Sequence, residues 1–181
     1  VDGLRAAGDV TLSGWDLAID NAVVDGALML NGPVASLGGL SLGSLDVTTS
    51  GDYSASEIQV AGAATVAAGG DVTFTEFAFG SFDLTGATIA LTDGVFDGAG
   101  EAESTAGQVE IENLSGGVGL VVAAETDAML DATRIGADGV SIAAGGDVML
   151  GTLQTDGGLT AFAGGAVLSM KDGASGAGGE T

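Results

Sequence analysis

Aspartate follows a glycine pair in GGDVTF (69–74) and GGDVML (145–150), and a third GDV stands at 8–10. Carboxylates set at glycine turns can hold calcium, as in acidic nonapeptide repeats of the form G-G-x-G-x-D-x-U-x. Here the aspartate comes directly after the glycines and the second motif glycine is missing. Asp71 and Asp147 are thus the candidate calcium ligands, without a complete ligand set around them. The spacing favours a different reading, in which each is a turn residue whose side chain hydrogen-bonds local backbone. No cofactor is expected, and calcium drawn to acidic turns is the one exception the charge allows.

The remaining ionisable groups narrow the chemistry. The chain carries 25 acidic residues against three cations (Arg5, Arg134 and Lys171), for a formal charge of −22, with no histidine and no cysteine. Ser-His-Asp and Cys-His arrangements are excluded, as is a histidine-based zinc site. A two-carboxylate glycosidase needs a pair of acids within roughly 5–10 Å. So many carboxylates supply such pairs by abundance alone, which is no evidence of a site. The chain is read as a non-enzyme, with a carbohydrate-active enzyme as the remaining catalytic alternative.

Charge also limits the partners. Phosphate affinity depends on basic residues that are scarce here, so no nucleic acid is expected. Anionic membrane surfaces are disfavoured in the same way. The longest apolar candidate, GGVGLVVAA at 116–124, falls far short of the roughly 18 residues that span a bilayer, so no membrane insertion is expected. The lack of cysteine suits a secreted bacterial protein that does without disulfides. The chain begins at Val1 without a methionine and ends in DGASGAGGET, and these first residues are not expected to be a signal peptide. Residues 1–181 are expected to be a single segment of a much longer repeat protein.

Internal repetition decides the expected fold. VSIAAGGDVMLGTLQTDGG (140–158) and LTAFAGGAVLSMKDGASGA (159–177) overlay without a gap, placing Val140 on Leu159, Gly145-Gly146 on Gly164-Gly165 and Val148 on Val167. The unit is an alternating triplet, a glycine turn and a second triplet. It returns in ATVAAGGDVTF (64–74), FDLTGATIAL (82–91), VVAAETDAML (121–130) and LRAAGDVTL (4–12). The GDV aspartates at 9, 71 and 147 are separated by 62 and 76 residues, read as three and four rungs.

Within each triplet the period is two, so alternate residues face inward. The inward stack is expected to hold Val10, Leu12, Val72, Phe74, Ile89, Leu91, Val140, Ile142, Val148, Leu150 and Val167. Gly69, Gly70, Gly145, Gly146, Gly164 and Gly165 are the turn glycines, chosen for the positive φ that tight corners use. Strands this short cannot stand alone but can stack in parallel on their neighbours. No segment carries a capped 3.6-residue pattern, so almost no helix is expected. The fold is read as all-β, a parallel β-helix or β-solenoid of about nine rungs and roughly 19 residues per rung. At ~4.8 Å per rung its length would be about 40–45 Å.

Acidic residues such as Asp93, Asp97, Asp138 and Asp156 are expected at turns, where water screens them. Glu110 and Glu112 are expected to flank an inward Ile111 on an exposed strand. Outward threonines, as in TFT at 73–75, raise an ice-binding alternative, but Met149 and Gly151 break the array later in the chain. Trp15, Tyr53 and the cluster Phe74, Phe77, Phe79 and Phe82 raise a carbohydrate-stacking platform. The favoured reading puts Phe74 and Phe82 in the core, with only Phe77 or Phe79 exposed.

AAGDVTLSG (6–14), AAGGDVTFT (67–75) and AAGGDVMLG (143–151), on their 19-residue period, resemble the shaft repeats of filamentous haemagglutinin-type adhesins. The resemblance runs through most of the chain at the level of the repeat. It implies a right-handed β-helix, export by two-partner secretion, and a place outside the bacterium, secreted or on the cell surface. It implies a rigid shaft that presents a distal binding tip. The family's amino-terminal export domain is not visible in these residues. The implied partners are flanking repeats of the same chain or identical chains. A host-cell or glycan receptor would be bound through regions outside this segment. The alternative function is a self-assembling extracellular filament or surface-layer subunit.

Overall fold

The computed structural model describes residues 3–14, 17–32 and 35–169, and all of its regular structure is β-strand. Eighteen strands form one continuous sheet in which every pairing is parallel. The sheet winds into a solenoid with three faces. Face A climbs through Val10, Leu28, Leu45, Ala64, Phe82, Gly100, Leu120, Val140 and Leu159. Face B climbs through Leu17, Ala35, Tyr53, Val72, Ile89, Val109, Ala128, Val148 and Val167. Face C climbs through Arg5, Val23, Ser41, Gln59, Ala78, Val95, Ser115, Arg134 and Gln154. Nine stacked positions on each face make about eight full turns, with register offsets of 17 to 20 residues.

The sequence unit of two triplets accounts for faces A and B only. The third face was hidden by a change of parity. Inward residues in the central turn are Val72 and Phe74, then Phe77 and Phe79, then Phe82 and Leu84, all buried. The spacing is two within a face and three across a corner, so no single period describes the run. Strands such as Tyr53–Ala68 and Val72–Gly86 therefore read as continuous while bending around corners.

One residue makes each corner between faces B and C. Asn21, Gly39, Glu57, Glu76, Asp93, Asn113 and Ala132 occupy equivalent positions on successive turns, with φ between 48° and 62°. A single left-handed residue turns the chain and flips the side-chain alternation. Asn, Asp and Gly accept this conformation readily, whereas Glu and Ala pay about 1 kcal/mol or more. At this corner the Ala132 N–H donates to Asp131 Oδ1 at 2.8 Å.

The core is one column of stacked side chains. Val72, Phe74, Ile89, Leu91, Val140, Ile142, Val148 and Leu150 are all buried there, as the alternation requires. Val10 and Leu12 pack against the core only partly buried, and Val167 is 52% exposed. All three point inward, but they lie on the outermost described turns, with no described turn beyond to cover them.

The expected aromatic arrangement is corrected. Phe77 and Phe79 are both 3% exposed and Tyr53 is 1% exposed, so none of them forms a surface platform. They join Phe74, Phe82 and Phe96 in a chain of ring contacts with centroids 4.7 to 6.3 Å apart. Trp15 and Lys171 lie outside the described residues.

Candidate functional site

The candidate ligands Asp71 and Asp147 sit where the chain turns from face A to face B. Asp71 Oδ1 accepts a hydrogen bond from the Thr88 hydroxyl at 2.8 Å, and Asp147 Oδ1 accepts one from the Ala166 N–H at 2.8 Å. The pattern repeats beneath them. The N–H of Asp71 donates to Asp52 Oδ1 at 3.0 Å, and the N–H of Asp147 donates to Asp127 Oδ1 at 2.8 Å. Each carboxylate therefore reaches the equivalent residue one turn on, 17 to 20 residues away in sequence. These aspartates are turn residues, but the groups their side chains bond, the Thr88 hydroxyl and the Ala166 N–H, are on the next turn and not local. The arrangement ties successive corners together by hydrogen bonds to a charged acceptor, which are stronger than neutral ones.

Asp9 belongs to a different corner. It precedes face A, where its Oδ1 accepts from the Ala27 N–H at 2.9 Å. The 62-residue gap from Asp9 to Asp71 is thus not a whole number of turns, whereas the gap from Asp71 to Asp147 spans four. No group of three or more acidic side chains able to hold a metal ion occurs among the described residues.

The turn glycines are needed for a reason other than φ. None of Gly69, Gly70, Gly145, Gly146, Gly164 and Gly165 has a positive φ. A Cβ on Gly69 would lie 2.6 Å from the Ser50 carbonyl oxygen, and one on Gly70 would strike Asp52 Oδ1. Gly146 and Gly165 face Asp127 and Asp147 in the same way, while Gly145 and Gly164 press on the carbonyls of Glu125 and Gly145. Glycine lets each corner settle on the one below, and the aspartate then caps the contact. The G-G-D sequence is a stacking device.

Outward residues distinguish the two halves of the rod. On the lower part of face B, Ser36, Ser54 and Thr73 are stacked in register, beside a second line of Ser56, Thr75 and Thr92. Above them the same positions hold Glu110 and Glu112, then Met129 and Asp131, then Met149 and Gly151. Glu110 and Glu112 do face outward around a buried Ile111. Thus the hydroxyl pairs occur on successive turns but cover only part of the face. Sequence reading missed this, because Ser36, Ser54 and Ser56 are ordinary surface residues until the register aligns them with Thr73 and Thr75.

The upper part of face A is more apolar. Val121 is 46% and Phe162 69% exposed there, around Ala123 and Ala143. The two described cations, Arg5 and Arg134, are exposed on face C, seven turns apart.

Comparison of the chain with models of known protein families, with curated proteins and with solved structures finds no match. The structure shows a parallel β-solenoid of about eight turns, and the resemblance to haemagglutinin-type shafts rests on the repeat motif alone.

Proposed function

We propose that this chain is a shaft segment of a secreted bacterial exoprotein or surface adhesin, a stiff rod that holds a binding tip away from the cell. The observation that supports this reading is the continuous parallel pairing, whose register shifts in the long strands fall at the corner from face C to face A. Every turn hydrogen-bonds to the next along all three faces, and the buried column runs through them without interruption. A stack of this kind transmits force along its axis and lengthens by adding turns, with each turn touching only its neighbours. Its action is mechanical, and its nearest partners are the flanking turns of the same or an identical chain. Export by two-partner secretion belongs to the same reading and comes from the repeat motif.

Negative-stain electron microscopy of the native, full-length material tests the proposal. Thin rods of one fixed length with a distinct tip are the expected result. Continuous filaments of indefinite length would replace it with the self-assembling alternative, in which this segment is the building block.

A further inference from the structure

The lower part of face B carries a shallow groove of about 500 Å³ that crosses four turns. Its polar lining is Ser36, Ser54, Ser56, Thr73 and Thr75, with Asp20 at one end. Neighbours on successive turns are ~4.8 Å apart, and the two lines of hydroxyls are separated by about two strand residues, or ~6.7 Å. Among the described residues none of these five hydroxyls has a side-chain hydrogen-bond partner. Elsewhere hydroxyls are engaged in holding the fold: Thr88 on Asp71, Ser104 on the Gly107 carbonyl, Thr105 on the Gly86 carbonyl and Thr133 on the Asp131 carbonyl. The groove thus concentrates donors and acceptors that the fold does not use.

Its borders select by charge. Asp52 and Asp71 stand exposed at the corner entering the face, and Glu57, Glu76 and Asp93 at the corner leaving it. Carboxylates on both sides repel an anionic ligand and offer acceptors to a ligand rich in hydroxyl donors. We propose that this groove binds an uncharged polysaccharide chain laid along the rod axis, hydroxyl against hydroxyl. A chain fits better than a flat crystal plane such as ice for two reasons. The surface is concave, and the rectangular array is broken at Gly38 and Ala90.

Among the described residues no exposed aromatic lies on this face to stack against a sugar ring, since Tyr53 and Phe74 point into the core. Each hydroxyl contact competes with water and contributes little. Binding to one rod is therefore weak, with Kd on the order of 1 mM. Useful adhesion comes from many rods, or many grooves, acting together. The inference rests on the extracellular reading above, but its test does not depend on electron microscopy of the parent protein.

The experiment displays the folded 181-residue chain densely on beads and measures retention of dextran, mannan and β-linked gluco-oligosaccharides. Polygalacturonate serves as the anionic control. Retention of at least one neutral glycan, with no retention of polygalacturonate, is expected. The double substitution Thr73→Val with Thr75→Val removes two hydroxyls at nearly constant shape and should lower retention at least tenfold while leaving the thermal midpoint within a few degrees. Phe162→Ala, on the other face, should change nothing. The proposal is overturned if no neutral glycan is retained, if the Thr73/Thr75 variant retains it fully, if Phe162→Ala abolishes it, or if only ice growth is affected. Should the double variant unfold, Ser54→Ala with Ser56→Ala takes its place with the same expectation. A failure of these tests leaves the shaft reading standing, because a rod with a distinct tip needs no ligand along its side.

Discussion

At the scale of single residues, Tyr53 stands apart from its neighbours. Its ring packs 5.3 Å from Phe74 in the aromatic core, yet its hydroxyl is buried with no hydrogen-bond partner. Burial also pushes the phenol pKa above its ordinary value, so the group stays neutral. A buried polar atom without a partner costs about 1–3 kcal/mol. Tyr53→Phe keeps the ring contacts and removes that cost, so stability should rise by about 1 kcal/mol in chemical denaturation. A loss of similar size would mean that the hydroxyl has a partner, such as an internal water. Val72 tests the inward assignment from the other side. It is 0% exposed, and Val72→Asp should cost about 3–5 kcal/mol by leaving a buried charge unpaired. An unchanged thermal midpoint would show that the side chain is not in the stack. Residues such as Val72 were legible in the sequence because alternation within one strand fixes which side is inward. The orphaned hydroxyl was not, since its surroundings come from turns 18 or more residues away.

At the scale of elements, large and small residues are matched between turns. Phe77 stacks under Gly94 and Phe82 under Gly100, and a Cβ on either glycine would fall within the ring below. Gly117 stands in the same relation to Phe96. Gly94 and Gly100 lie within faces, apart from the glycine pairs of the corners, and make room for bulk. Gly94→Ala should therefore destabilise by about 1–3 kcal/mol through overpacking. Phe77→Leu combined with Gly94→Ala should cost less than the sum of the two single changes, because the leucine vacates the space the new methyl needs. Additive losses in denaturant titrations would show that the two positions do not touch. The G-G-D corners were visible as a motif, but their purpose was not. Turn chemistry suggested φ freedom and local hydrogen bonds, whereas the glycines and aspartates serve contacts to the adjacent turn. A motif records which residues are needed; the distance to the partner is set by the winding.

At the scale of the whole molecule, the aromatic side chains are concentrated between Tyr53 and Phe96. In a stack where each turn contacts only its neighbours, stability follows local packing and the outer turns open first. Native-state hydrogen exchange should be slowest for strand amides from 53 to 96 and faster for those before 20 and after 155. Uniform protection along the rod would contradict this and indicate one all-or-none unit. The formal charge of −22 acts along the same length. It keeps rods apart, and it leaves a partner bound along the side to be neutral or cationic.

The repeat and the alternation within strands were enough to establish a parallel solenoid of about 19 residues per turn. A buried apolar column and stackable turns follow from local pattern alone. The third face, the single-residue corners at positions such as Glu57 and Glu76, and the aligned hydroxyls from Ser36 to Thr92 were decided only by the winding. Their partners are separated by 17 to 20 residues, and that offset varies from turn to turn. Pairing across so variable a gap is fixed by which side chains pack together, and packing is a property of the folded stack.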